Sequence, residues 1–134
     1  MNTKFKGTDV KLGGKLPVIG EAVPNVRFVG TDLSEGDLAG LKGKVVVLFS
    51  VPSVDTGVCA TETRSFNKRL SGMGAEGVAI SEDLPFALKR FCAVEGIENV
   101  QGVSDFRYRE MEKFGVRMAD GPMAGLLARV VFVI

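Results

Sequence analysis

The run Val45-Val46-Val47-Leu48-Phe49-Ser50-Val51 is followed by Pro52, a helix-like segment over about residues 56–70, and a second apolar run at 77–81. An apolar stretch of this length, rich in β-branched residues, reads as a buried strand. Proline stops it, and Gly72 and Gly74 end the helix. A strand, a helix and a strand in this order imply a sheet with helices packed on it, an α/β fold.

The rest of the chain continues the alternation. Lys4 to Leu12 suggests a hairpin turning at Gly7, and residues 15–24 form a loop rich in Pro and Gly. Val26 to Val29 predicts a short strand, and Asp32 to Gly43 a polar turn or one helical turn. Asp83 reads as a helix N-cap, with Pro85 in the first turn of a helix through Val94 and Gly96 as its stop. Val100 to Val103 predicts a strand. Arg107 to Phe114 reads as a helix stopped by Gly115. Arg129 to Ile134 predicts the last strand.

Composition and motifs exclude several kinds of chemistry. With no histidine in the chain, Ser-His-Asp and Cys-His catalysis are ruled out. Two cysteines cannot fill a tetrahedral zinc site without carboxylates, and no metal or other cofactor is expected. Neither G-x-G-x-x-G nor G-x-x-x-x-G-K-[ST] occurs, so the glycines at 36, 40 and 43 read as turns. A net charge of +1 with scattered basic residues gives no nucleic-acid footprint. No apolar run reaches the roughly 18 residues of a membrane helix. No apolar stretch of signal-peptide type follows Met1–Lys6, so a cytoplasmic location is expected. Two cysteines in such a compartment suit catalysis or redox sensing better than a disulfide scaffold.

Cys59 is the residue on which chemistry can turn. It lies where the strand passes into the helix, and a helix N-terminus favours the thiolate, the reactive form of cysteine. A small buried core cysteine is the other reading of the same position. Thr56, three residues earlier, either shares the face of Cys59 or caps the helix. Pro52 either shields the thiol from water or simply breaks the strand. Cys92 lies 33 residues after Cys59 on a different helix, so the pair is no C-x-x-C motif. Alone it reads as a buried helical cysteine beside Phe91. Arg129, at the start of a strand, reads alone as a solvated surface residue, and Arg64 and Arg90 as surface charges.

Pro52, Thr56 and Cys59 spell P-x-x-x-T-x-x-C, which resembles the active-site motif of the peroxiredoxins. Three further stretches resemble the thiol peroxidases, the atypical two-cysteine branch. These are Ser81-Glu82-Asp83-Leu84-Pro85-Phe86-Ala87, Arg90-Phe91-Cys92 with Glu95-Gly96, and Ala119-Asp120-Gly121-Pro122-Met123-Ala124-Gly125-Leu126-Leu127-Ala128-Arg129. The resemblance runs from about Phe5 to Ile134. It implies a thioredoxin-like fold with an N-terminal β-hairpin, and a single domain over residues 1–134. It implies reduction of hydrogen peroxide and organic hydroperoxides, with Cys59 as nucleophile. Cys92 becomes the resolving cysteine that closes an intramolecular disulfide, Thr56 and Arg129 polarise the site, and Pro52 shields it. Closing that loop is worth about 3 to 4 kcal/mol in the chain-entropy model.

Thioredoxin is the implied reductant, and the fold leaves room for a homodimer. Asp120 is expected to brace a nearby loop rather than to act in the chemistry. The family continues past the Val130–Ile134 strand with a paired strand and a helix, so the domain is expected to be incomplete at this end, with an open apolar edge. Two other classes stay open. One is a catalytically impaired redox sensor or binding protein on the same fold. The other is a general thiol–disulfide oxidoreductase, which the missing C-x-x-C disfavours.

Overall fold

The structure is a computed structural model. It describes residues 2–5, 8–13, 16–20, 22–41, 43–55, 57–70, 74–97 and 99–134, with residues 2–5, 8, 9 and 57–60 described through their backbone alone. In chain order the strands are β1 (Asn2–Phe5), β2 (Thr8–Lys11), β3 (Arg27–Gly30), β4 (Glu35–Asp37), β5 (Val46–Ser50), β6 (Glu76–Ser81), β7 (Val100–Ser104) and β8 (Val130–Val133). Helix α1 (Gly57–Leu70) follows β5 and helix α2 (Pro85–Glu95) follows β6. Strands β1 and β2 form the expected antiparallel hairpin, although Gly7 lies outside the described residues.

The other six strands form one mixed sheet in the order β4-β3-β7-β6-β5-β8. Its centre, β7-β6-β5, is parallel, which α2 and α1 make possible as crossovers. Strand β8 runs antiparallel to β5 and forms one edge of this sheet. Alternate side chains of each strand serve opposite faces. Leu48, Val78, Ile80 and Val103 join Phe114, Val116 and Leu127 on one side. Phe49, Ala79 and Val100 join Leu70, Phe66 and Phe91 on the other. The Phe49 ring stacks on Phe66 of α1 at 4.7 Å, fixing the helix to the strand before it. The fold is the α/β one that the alternation of strands and helices implies, and the thioredoxin-like one that the resemblance implies.

Three local expectations need correction. Residues 32–43 hold more than a turn: the expected helical turn is a 3-10 turn over Leu38–Leu41, and before it the unexpected β4 pairs with β3. Gly36 faces the Phe28 ring, where a Cβ would come within 2.8 Å of the ring edge, so the pairing needs glycine. Residues 107–114 do not make an α-helix. Arg109 takes a left-handed φ of 53°, which breaks the helical path, and only Glu110–Phe114 forms a 3-10 helix. Asp83 is not the cap of α2. Leu84 holds that position and offers no side-chain bond, and the Asp83 carboxylate turns elsewhere.

At the β8 edge, Val131 and Val133 are 42% and 74% exposed. An apolar groove of about 930 Å³ lies beside them, between β8 and the loop from Pro17 to Asn25. Among the described residues, Pro52, Cys92 and Arg129 do not line it. Among the described residues no helix is long and apolar enough to cross a membrane.

Candidate active site

The C-terminal ends of three parallel strands set the stage. β5, β6 and β7 end in Ser50, Ser81 and Ser104, each at most 1% exposed. A hydroxyl at a buried strand end needs a partner, and each finds one on a neighbouring loop. Ser50 Oγ donates to the Ala128 carbonyl at 2.7 Å. Ser81 Oγ donates to Asp83 Oδ2 at 2.7 Å, and Ser104 Oγ to the Asp83 carbonyl at 2.5 Å. Loops at this end of an open α/β sheet are where such folds place ligands.

Pro52 lies at this end, buried, two residues past β5. A turn over Val54–Asp55 then leads to α1. Thr56 lies outside the described residues. Cys59 belongs to the first turn of α1, and its side chain is likewise outside them.

Arg129 arrives from the other side. The Ser50 bond to Ala128 and the Ser50–Val130 register bracket it. Its Nε stands 3.0 Å from Oε2 of Glu62 on α1, and the two side chains are 34% and 17% exposed. Glu62 was missed in the sequence, where it reads as one more charge on a helix. The available signal is its place three residues after Cys59. Burial pushes the Glu62 carboxyl above its ordinary pKa, and the Arg129 charge and hydrogen bond oppose that shift. Arg129 is thus no simple solvated strand-end residue.

Cys92 is half-buried on α2, packed with Phe91 against the cluster of Phe49, Val51 and Val100. Its sulfur sits on Gly102 of β7, where a Cβ would stand 3.4 Å from it. Burial raises the thiol pKa, and a backbone hydrogen bond from Gly102 only partly offsets this. In this seat burial disfavours the thiolate, the reactive form of cysteine.

Arg64 and Arg90 both join α1 or its approach to α2. Arg64 Nη1 pairs with Glu95 at 2.6 Å, and Arg90 Nη2 with Asp55 at 3.1 Å. Asp120 braces a loop, accepting the Lys11 N–H of β2 at 2.8 Å. Among the described residues no cluster of cysteine and carboxylate groups could hold a metal.

A buried ionic cluster forms around Arg117. Arg117 bonds the Gly125 carbonyl at 2.7 Å, Glu82 at 3.0 Å and Asp105 at 2.9 Å. Burial pushes the fully buried Asp105 carboxyl up to about 8, helped by the Glu82 carboxyl beside it and opposed by the Met111 N–H and Arg117. A carboxyl with a raised folded pKa contributes stability in full below its unfolded pKa, near 3.8, and loses it as pH rises through about 8. Wild-type stability should therefore fall by up to about 1.4 kcal/mol per pH unit on approaching that pH. Asp105→Asn should flatten this fall, as urea unfolding at a series of pH values would show. An unchanged pH dependence would mean that Asp105 is ionised throughout.

The redoxin family model matches residues 19–134. A thiol peroxidase of Campylobacter jejuni is 50% identical over 132 residues, covering 97% of this chain and 75% of that protein. The chain belongs to the thiol peroxidases. This places it among the peroxiredoxin enzymes, which act on peroxides. A thiol peroxidase of Aquifex aeolicus is 48% identical over 97% of this chain and 78% of its own length. A crystal structure of a peroxiredoxin-like protein from Aquifex aeolicus superposes with a TM-score of 0.95 at 46% identity, covering 99% of this chain and 78% of that one. A Chromobacterium violaceum thiol peroxidase, at 21% identity and a TM-score of 0.87, shares the fold.

Proposed function

We propose that this thiol peroxidase reduces hydrogen peroxide and organic hydroperoxides through Cys59, and that Cys92 resolves the product. The Cys59 thiolate attacks one oxygen of the O–O bond, which breaks. The other oxygen leaves as hydroxide or alkoxide and takes up a proton. Cys59 is left as sulfenic acid. The Cys92 thiol then attacks that sulfur, a disulfide forms and water leaves. An external dithiol, with thioredoxin as the candidate, returns two electrons and two protons and restores both thiols.

The observation that carries this reading is the Arg129–Glu62 ion pair. Glu62 stands three positions after Cys59 on α1, a spacing that makes neighbours on a helix. A guanidinium held there favours the thiolate and offers forked N–H donors to peroxide oxygens. Thr56 serves as a hydroxyl donor to the same site, and buried Pro52 keeps water from one side of it. The Cys92 seat supports a separate resolving role, because burial that disfavours the thiolate weakens its competition for peroxide.

Wild type treated with one equivalent of hydrogen peroxide should give a Cys59–Cys92 disulfide within one chain. Non-reducing electrophoresis should show a monomer, and peptide mapping should find the link. A disulfide-linked dimer as the main product would refute the intramolecular reading.

A further inference from the structure

Resting on that reading, we infer that Asp83 is a positioning residue that holds Cys59 in its peroxide-reactive arrangement and opposes closure of the disulfide. One carboxylate binds three groups. Oδ1 accepts from Ser53 Oγ at 2.8 Å, and Oδ2 accepts from the Val54 N–H at 2.9 Å and from Ser81 Oγ at 2.7 Å. The Asp83 carbonyl accepts from Ser104 Oγ. Ser53 Oγ in turn receives the Asp55 N–H at 3.1 Å. The turn leading to α1 and the end of β6 meet at the Asp83 carboxylate, and the end of β7 at its backbone carbonyl, just before the chain enters α2. Val54 and Ser81 are buried, so water is a poor substitute for these bonds.

The two cysteines hang from opposite sides of this joint. Cys59 follows the pinned Ser53–Val54 turn within five residues, and Cys92 lies on the helix that starts two residues after Asp83. The Cys92 sulfur rests against Gly102 on one face of the sheet. A disulfide needs Cα atoms within about 7 Å. Closure that shifts the Ser53–Val54 turn against the start of α2 strains the Asp83 bonds. The joint therefore favours the arrangement that meets peroxide over the one that closes the disulfide.

This predicts opposite effects on two steps. Asp83→Asn keeps the shape but turns one acceptor oxygen into a donor, which faces the Val54 N–H or the Ser53 hydroxyl. Oxidation of Cys59 by peroxide should slow about tenfold through lost positioning. Disulfide closure from the sulfenic acid should become several-fold faster, and less sulfinic acid should accumulate at high peroxide. Ser53→Ala, which removes one arm and keeps the Val54 bond, should shift both steps the same way by smaller factors. The chain has no tryptophan, so quenched-flow mass analysis of sulfenic and disulfide forms is the suitable readout. A merely structural role would slow both steps together. If in both variants either step is unchanged, or both are slowed, the inference fails. If wild type itself forms neither Cys59 sulfenic acid nor the Cys59–Cys92 bond, it is the peroxidase reading that fails.

Discussion

Cys59→Ser abolishes peroxide reduction, because a serine hydroxyl forms no comparable nucleophile near neutral pH. Turnover measured with a dithiol reductant should fall to the uncatalysed background. Cys92→Ser behaves differently. It should consume about one equivalent of peroxide in a single turnover and then stall as sulfenic acid. The contrast is informative because both residues are cysteines and only their surroundings differ. Cys59 stands in the first turn of a 14-residue helix, and Cys92 sits on Gly102 with its pKa raised by burial. Loss of the first equivalent in Cys92→Ser, with retention in Cys59→Ser, would reverse the two roles.

Arg129→Ala carries the second large effect. The Arg129 Nε is held 3.0 Å from Glu62, whose side chain is 17% exposed. In the proposed site, removing the guanidinium would take away a charge that favours the thiolate and donors for the peroxide oxygens. Removal of one such donor typically costs about 100- to 1000-fold in rate. Arg129→Ala should slow peroxide reduction by that order and raise the Cys59 pKa. The rate loss should exceed what the pKa change explains, because alignment of the O–O bond is lost too. Arg129→Lys should restore pKa better than rate, since lysine brings charge without the fork. Reactivity of Arg129→Ala equal to wild type, with the fold confirmed intact, would return Arg129 to a structural ion pair.

The elements that position the site are legible in the sequence wherever the signal is local. The Val45–Val51 run gives β5, Pro85 and Gly96 bound α2, and the apolar tail gives β8. β4 is too short and too polar to be read, and its existence depends on Phe28 meeting Gly36 across the strand pair. The reading of 107–114 as a helix fails for a similar reason. The Asp105 carboxylate captures the Met111 N–H and Arg117 holds Asp105, and neither contact is visible in the segment's own pattern. The candidate site divides in the same way. Cys59, Cys92, Thr56, Pro52 and Arg129 announce themselves through spacing that resembles a family motif. Glu62 and the strand-end serines do not, because each matters through a partner remote in sequence. Asp83 misleads outright: beside Pro85 it reads as a helix cap, yet its carboxylate serves a turn about thirty residues earlier.

The most direct measurement traps the sulfenic acid itself. Wild type is mixed with one equivalent of hydrogen peroxide, quenched at early times in a cyclic 1,3-dione that reacts with sulfenic acid, and mapped by peptide mass. The adduct should appear at Cys59 and decline as the Cys59–Cys92 disulfide grows, with none at Cys92. An adduct at Cys92, or a disulfide growing in while Cys59 never takes the label, would contradict the account.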